Sequence, residues 1–192
     1  MSLRFNNLVT SFDGACYYKP NTKLSDGSWT HTDISPKLSK EMKCYQGFIS
    51  LTDNKENSFQ LYEGTNNMHK TYFVLKEQEN DSKNWQKIDK DYLDDINHRK
   101  KVLNVPAGSL VLWDSRTFHQ NIHSNVNEER IVQYISMLPK NNKLNSLAMQ
   151  KKRKKYFDEL RTTSHWAYPI RVNSLQPQTY GNNDLLIDYN EL

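Results

Sequence analysis

Residues 106–139, "PAGSLVLWDSRTFHQNIHSNVNEERIVQYISMLP", carry most of the architectural information in the chain. The segment opens on a Pro and Gly turn, "PAGS", set between two apolar runs, "KVLNV" before it and "LVLWD" after it. Two more runs of strand length follow, "TFHQNIHS" and "ERIVQYISML", and Pro139 closes the series. Short runs rich in β-branched and aromatic residues, punctuated by turn formers, read as strands.

The same pattern continues towards the N-terminus. "NLVTSFDGACYYKP" is rich in β-formers and stops at Pro20. "KCYQGFISLTD" (residues 43–53) is apolar on both faces and is expected to end in a polar turn, "DNKENS", before a short strand, "FQLYEGT". An insert of helical or irregular character is expected near 66–98, where "WQKIDKDYLDDI" has helix-like spacing. After Pro139 a helix is expected from about Lys143 to Leu160, followed by a tail without periodicity, so that residues 143–192 form a C-terminal helix plus tail. There is no internal repeat and no linker between two cores. The expectation is a single domain over residues 1–192, and its many short strands point to a sandwich, a barrel or a jelly roll.

Composition narrows the function classes. A chain of 192 residues suits one domain with a sizeable core. The net charge is only +4, and much of the excess lies in "KKRKKYF" at 151–157, so a generally basic protein that coats nucleic acid is not expected. A solvated helix face explains that charge run without a nucleic acid partner. Cys16 and Cys44 give no disulfide framework and read as reduced thiols. No run approaches 18 apolar residues and the start lacks a signal-like core, so a soluble, cytoplasmic protein without membrane insertion is expected.

The candidate chemistry begins with "SWTHTDISP" at 28–36. In a strand, residues i and i+2 share a face, so His31 and Asp33 can aim at one point. Six His and 22 acidic residues give about 0.7 such pairs by chance, so the motif alone decides nothing. His119, on a strand after a tight turn, supplies a second imidazole, and Arg130 follows eleven residues later. Two His and one carboxylate can hold one face of Fe(II) and leave positions open. Arg130 offers a planar fork suited to a carboxylate. Three polar groups in a satisfied buried network without metal remain the competing reading.

His31-x-Asp33, His119 and Arg130 in this order resemble the iron- and 2-oxoglutarate-dependent dioxygenases, and within them the phytanoyl-CoA dioxygenase family. "LVTSFDGACYYKP", "SWTHTDISP", "CYQGFISLTD", "GSLVLWDSRTFHQN" and "ELRTTSHWAYP" resemble one branch of that family, from about Leu8 to Gly181. The resemblance implies a mainly β fold with flanking helices: a double-stranded β-helix, that is, a cupin-like jelly roll. It implies Fe(II) on His31, Asp33 and His119, and 2-oxoglutarate with its far carboxylate on Arg130. It implies molecular oxygen as co-reactant and hydroxylation of a small-molecule or lipid-like substrate, with release of succinate and carbon dioxide. Retention of Asp33 favours hydroxylation or another oxidation over halogenation, because halogenating relatives carry a small residue there. Relatives carry helical sequence before the first strand, whereas this chain begins almost at that strand, as a shortened form would.

Further cosubstrate contacts are expected from Tyr18, Lys43, Gln46 and Asn121, with core or surface roles as the alternative for each. Trp113 reads as core; Arg116 as a substrate contact or a buried ion pair; His69, His98 and His123 as ordinary histidines, the first two at the surface. His165 reads either as part of the pocket mouth or as a clamp on the tail. Three other functions compete: an oxygenase acting on nucleic acid or protein, a non-catalytic metal-binding jelly roll, and a cupin with another metal.

Overall fold

The computed structural model describes residues 8–22, 28–40, 44–122, 127–140, 144–162 and 165–167. Side-chain alternation sets the central strand. In β10 (Arg130–Pro139), Arg130, Val132, Ser136 and Leu138 are buried while their neighbours are partly exposed. That period of two gives the strand one face on the core. One edge of β10 pairs with β1 (Leu8–Thr10) and β2 (Ala15–Tyr18), and the other with β4 (Tyr45–Ser50). β8 (Leu110–Asp114) completes this five-stranded sheet beyond β4.

The second sheet has the order β6 (Gln86–Lys87), β3 (His31–Thr32), β9 (His119–Asn121), β5 (Asn54–Tyr62), β7 (Lys100–Val105). All pairings in both sheets are antiparallel. From β2 to β5 the chain crosses between the sheets at every step, and it does so again from β7 to β10. The inner orders β2-β10-β4-β8 and β3-β9-β5-β7 are the connectivity of a double-stranded β-helix, the jelly roll expected from the sequence.

Phe48, Phe59, Val105, Trp113 and Val132 fill the space between the sheets, so Trp113 is a core residue. Gly47 sits where β4 and β8 approach closely: a Cβ there would lie 2.3 Å from the Val111 carbonyl oxygen. The "PAGS" turn closes with Ser109 N–H donating to Pro106 O at 3.2 Å, and Gly108 supplies the required positive φ of 79°.

Between β5 and β7 lie α2 (Thr65–Leu75), β6 and α3 (Lys90–Asp95). They bury Tyr72, Phe73, Ile88 and Leu93 against Tyr62 and Phe118. Two local expectations are corrected. "DNKENS" is not a turn, because β5 already begins at Asn54, paired with Val105. "WQKIDKDYLDDI" is helical only over Lys90–Asp95, because Gln86 and Lys87 pair with β3 and Ile88 N–H donates to Thr30 O at 2.9 Å. A helical spacing yields there to a sheet edge that needs covering.

α4 (Leu147–Asp158) starts at the N-cap Ser146, whose hydroxyl accepts from Met149 N–H at 3.3 Å. Within its basic run, Lys154 pairs with Asp158 and Lys155 with Glu159. Arg153 instead donates to Thr10 O at 2.6 Å and Ala167 O at 2.7 Å, tying the helix to β1 and to the last described segment. Most of the expected tail, residues 168–192, lies outside the described residues. No helix among the described residues is long and apolar enough to cross a membrane.

Candidate active site

β3 and β9 are neighbours, and their register sets His31 directly opposite His119. Both side chains stand on the core face and are buried. Asp33 lies just past the end of β3, where its N–H donates to Ser115 O at 3.2 Å and Thr32 Oγ1 donates to the same carbonyl at 2.8 Å. This anchoring turns the Asp33 carboxylate towards both rings: Oδ2 is 3.5 Å from His31 Nε2 and 3.2 Å from His119 Nε2. The three ligand-type atoms lie within 4.8 Å of one another, the one such group among the described residues.

The other ring nitrogens fix the tautomers. His31 Nδ1–H donates to Trp29 O at 3.1 Å and His119 Nδ1–H to Thr117 O at 2.9 Å. Each Nε2 then faces the Asp33 carboxylate, and three ligand-type atoms converge on one point. A cation relieves that convergence, and backbone carbonyls behind the imidazoles are the usual support of metal-bound His. Burial alone would raise the Asp33 carboxyl pKa, yet the two imidazoles hold it well below the usual range. Burial lowers the His119 pKa and keeps the ring neutral. Imidazole nitrogens and an ionised carboxylate suit a borderline divalent ion such as Fe(II).

A second cluster surrounds Arg130, which is fully buried at the start of β10. Its Nη2 donates to Asn121 Oδ1 at 2.9 Å, and Asn121 Nδ2 donates to Tyr134 Oη at 2.8 Å. The guanidinium carbon lies 5.7 Å from the Tyr18 ring centre and 5.3 Å from that of Phe48. Burial pushes the Tyr134 pKa up, so the phenol keeps its proton. Gln46 is also buried, and both polar atoms of its amide have no partner among the described residues. It sits opposite Trp113, whose ring is 4.9 Å from that of His119, so unsatisfied amide groups lie close to the histidines. A bound polar molecule would satisfy them.

The structure thus brings His31, Asp33 and His119 into one group, and Arg130, Asn121 and Tyr18 into another. Lys43 and His123 lie outside the described residues. Arg116 forms a two-pronged ion pair with Asp114, at 2.8 and 2.6 Å. His98 is exposed, but the expectation for His69 is corrected: it is fully buried, its Nε2 3.3 Å from Ile34 O. α2 carries it under the loop that holds Asp33. His165 Nδ1 lies 2.7 Å from Asp13 Oδ2, and its ring meets Tyr134 edge-on at 5.6 Å. Tyr134 was legible as a neighbour of Arg130 because residues four apart on a strand share a face. Gln120 had no such signal; its Oε1 accepts from Trp29 N–H at 3.1 Å and Thr30 Oγ1 at 2.9 Å, holding the segment before β3.

No family model matches the chain. Over 148 residues, 70% of the chain, it is 30% identical to "Ava biosynthesis cluster protein O" of Aspergillus versicolor, covering 48% of that protein. Over 94% of the chain it is 24% identical to "Putative phytanoyl-CoA dioxygenase" of Dictyostelium discoideum, covering 61% of it. The chain therefore spans about half to three-fifths of the length of these curated relatives. Among solved structures, HygX from Streptomyces hygroscopicus with nickel, 2-oxoglutarate and hygromycin B bound matches at TM-score 0.42 and 15% identity, over 65% of this chain and 53% of that one. EvdO2 from Micromonospora carbonacea var. aurantiaca matches at TM-score 0.40 and 10% identity, over 65% and 49%.

Proposed function

Starting from a chain related in sequence to the phytanoyl-CoA dioxygenase-like proteins, we propose that it is an Fe(II)- and 2-oxoglutarate-dependent oxygenase that hydroxylates a small molecule. The observation that carries this reading is the convergence of His31 Nε2, His119 Nε2 and Asp33 Oδ2, with both Nδ1 atoms engaged by backbone carbonyls. These three residues hold the iron. Arg130 receives the far carboxylate of 2-oxoglutarate, with Asn121 fixing the plane of the guanidinium and Tyr18 flanking it. Gln46 supplies its unpartnered amide to the bound cosubstrate.

With both groups bound, the chemistry supplied is oxidative decarboxylation of 2-oxoglutarate to succinate and carbon dioxide, coupled to oxygen insertion into a substrate C–H bond. The chain's own part is orientation and exclusion of water. Phe59 and Trp113 pack on His119 at 5.6 and 4.9 Å between ring centres and keep that side dry.

A small-molecule substrate is supported by the biosynthesis-cluster name of the Aspergillus relative. A nucleic acid substrate finds less support, because Arg153 of the basic run is spent on backbone carbonyls and two of its lysines on acidic neighbours.

The test is anaerobic titration of the Fe(II)-loaded chain with 2-oxoglutarate. The expected result is a weak visible metal-to-ligand charge-transfer band that is absent in His119→Ala. Iron binding without a band leaves a metal-binding jelly roll that does not use this cosubstrate, and overturns the proposal.

A further inference from the structure

His31 is stacked against two indoles. The Trp29 ring lies 4.9 Å from it at 20° and the Trp85 ring 5.3 Å from it at 28°. The two tryptophans differ in exposure. Trp29 is partly buried, with its N–H held by Gln120, whereas Trp85 leaves 50% of its surface in water. Trp85 immediately precedes β6, the edge strand against β3, in which Lys87 is registered directly opposite His31. Opposed residues of an antiparallel pair share a face, and residues two apart along the strand share it too. Trp85 and the exposed Lys87 therefore stand on the same face of the sheet as His31.

Supporting the imidazole does not require a half-exposed indole. The Trp29 carbonyl already orients the ring and Trp29 already stacks on it. A second large ring beside a candidate metal ligand, with half its surface uncovered, is a flat apolar platform that a ligand can complete. The neighbouring ammonium adds a preference for negative charge.

We infer that Trp85, together with Lys87, forms a substrate subsite for a planar aromatic ring carrying an anionic group, one indole away from the candidate metal ligand His31. The subsite rests on the oxygenase reading only in calling its occupant the substrate. The ring stacks on the outer surface of Trp85, and its anionic substituent reaches Lys87.

The probe is indole-3-acetate, with cyclohexaneacetate as the non-planar control, titrated by calorimetry into the full chain without iron or 2-oxoglutarate. Expected are saturable binding of indole-3-acetate, weaker binding of cyclohexaneacetate, and an affinity loss of about tenfold in Trp85→Ala. Trp85→Phe retains most of the affinity, and Lys87→Gln weakens the anionic probe more than indole itself. Far-UV circular dichroism of each variant establishes that it is folded. Absence of saturable binding, equal affinity for the two acetates, or an affinity unchanged in Trp85→Ala overturns the inference. The charge-transfer titration is run on the same preparations. Indole-3-acetate binding without the band leaves the subsite standing and removes the oxygenase reading; the band without indole-3-acetate binding does the reverse.

Discussion

Asn121 Oδ1 accepts a hydrogen bond from Arg130 Nη2 at 2.9 Å, between residues on β9 and β10, strands of opposite sheets. The contact links the strand that carries His119 to the strand that carries the buried cation. Asn121→Ala removes this acceptor and with it one of the contacts that set the plane of the guanidinium. A charge-assisted hydrogen bond contributes about 1.5–3 kcal/mol, so 2-oxoglutarate affinity is expected to fall about tenfold or more. Iron stoichiometry stays the same. Calorimetry with 2-oxoglutarate, beside an iron assay, checks both halves, and an unchanged affinity detaches Asn121 from the cosubstrate.

His119→Ala is expected to abolish stoichiometric Fe(II) binding, since it removes one of three converging ligands, whereas Arg130→Lys weakens 2-oxoglutarate and spares iron. Lysine keeps the charge but loses the planar fork and its bond to Asn121. The two variants together separate the metal group from the cosubstrate group. Full iron occupancy in His119→Ala would remove that residue from the ligand set.

His69 predicts an acid sensitivity. Burial lowers its pKa from 6.5 to about 4, so the folded protein holds it neutral. Below pH 6.5 the unfolded chain takes a proton that the folded one refuses. Stability therefore falls as pH drops, and the loss from this group is complete below about 4, amounting to about 3 kcal/mol. Urea unfolding between pH 7.5 and 4 measures the slope. His69→Leu is expected to flatten the profile by that amount; an equally steep fall in the variant assigns the sensitivity elsewhere.

Gly47→Ala is expected to destabilise the chain by about 3 kcal/mol, because the added methyl meets the Val111 carbonyl and Leu112 and must push β8 away from β4. Chemical denaturation gives the number. A loss under about 0.5 kcal/mol would mean that the two strands separate easily there.

Cys44 is buried, and burial pushes its thiol pKa up to about 12. It is expected to resist alkylation at pH 8 in the folded protein and to react at once in denaturant. Mass-resolved iodoacetamide labelling checks this, and fast native labelling of Cys44 would contradict its burial.

A fold of short strands was legible where turn formers set off apolar runs, as around β8, and where a period of two assigns a face, as in β10; the jelly roll among such folds was carried by the family resemblance. His31 and Asp33 were legible for the same reason, although Asp33 reaches the site from beyond the strand end rather than from within it. Elsewhere the deciding partner is distant in sequence. Asn54 reads as turn until Val105 pairs with it, 51 residues later, across a register shift that hides the alternation. Trp85 reads as helix until β3 claims the two residues after it. His69 reads as surface because it falls in the insert, and only Ile34, next to Asp33, reveals the buried side. A local window cannot contain such partners.

The position of β10 has a consequence for the order of assembly. β1 and β2 form their pairings with residues 130–139, more than 110 positions downstream. During vectorial synthesis β1 and β2 wait for β10 before they find their edge. Closure of so long a loop favours slow folding, with the early strands open to wrong pairing in the meantime. The arrival of β10 thus sets down the buried Arg130 beside Asn121 and, in the same event, gives β1, β2 and β4 their shared partner.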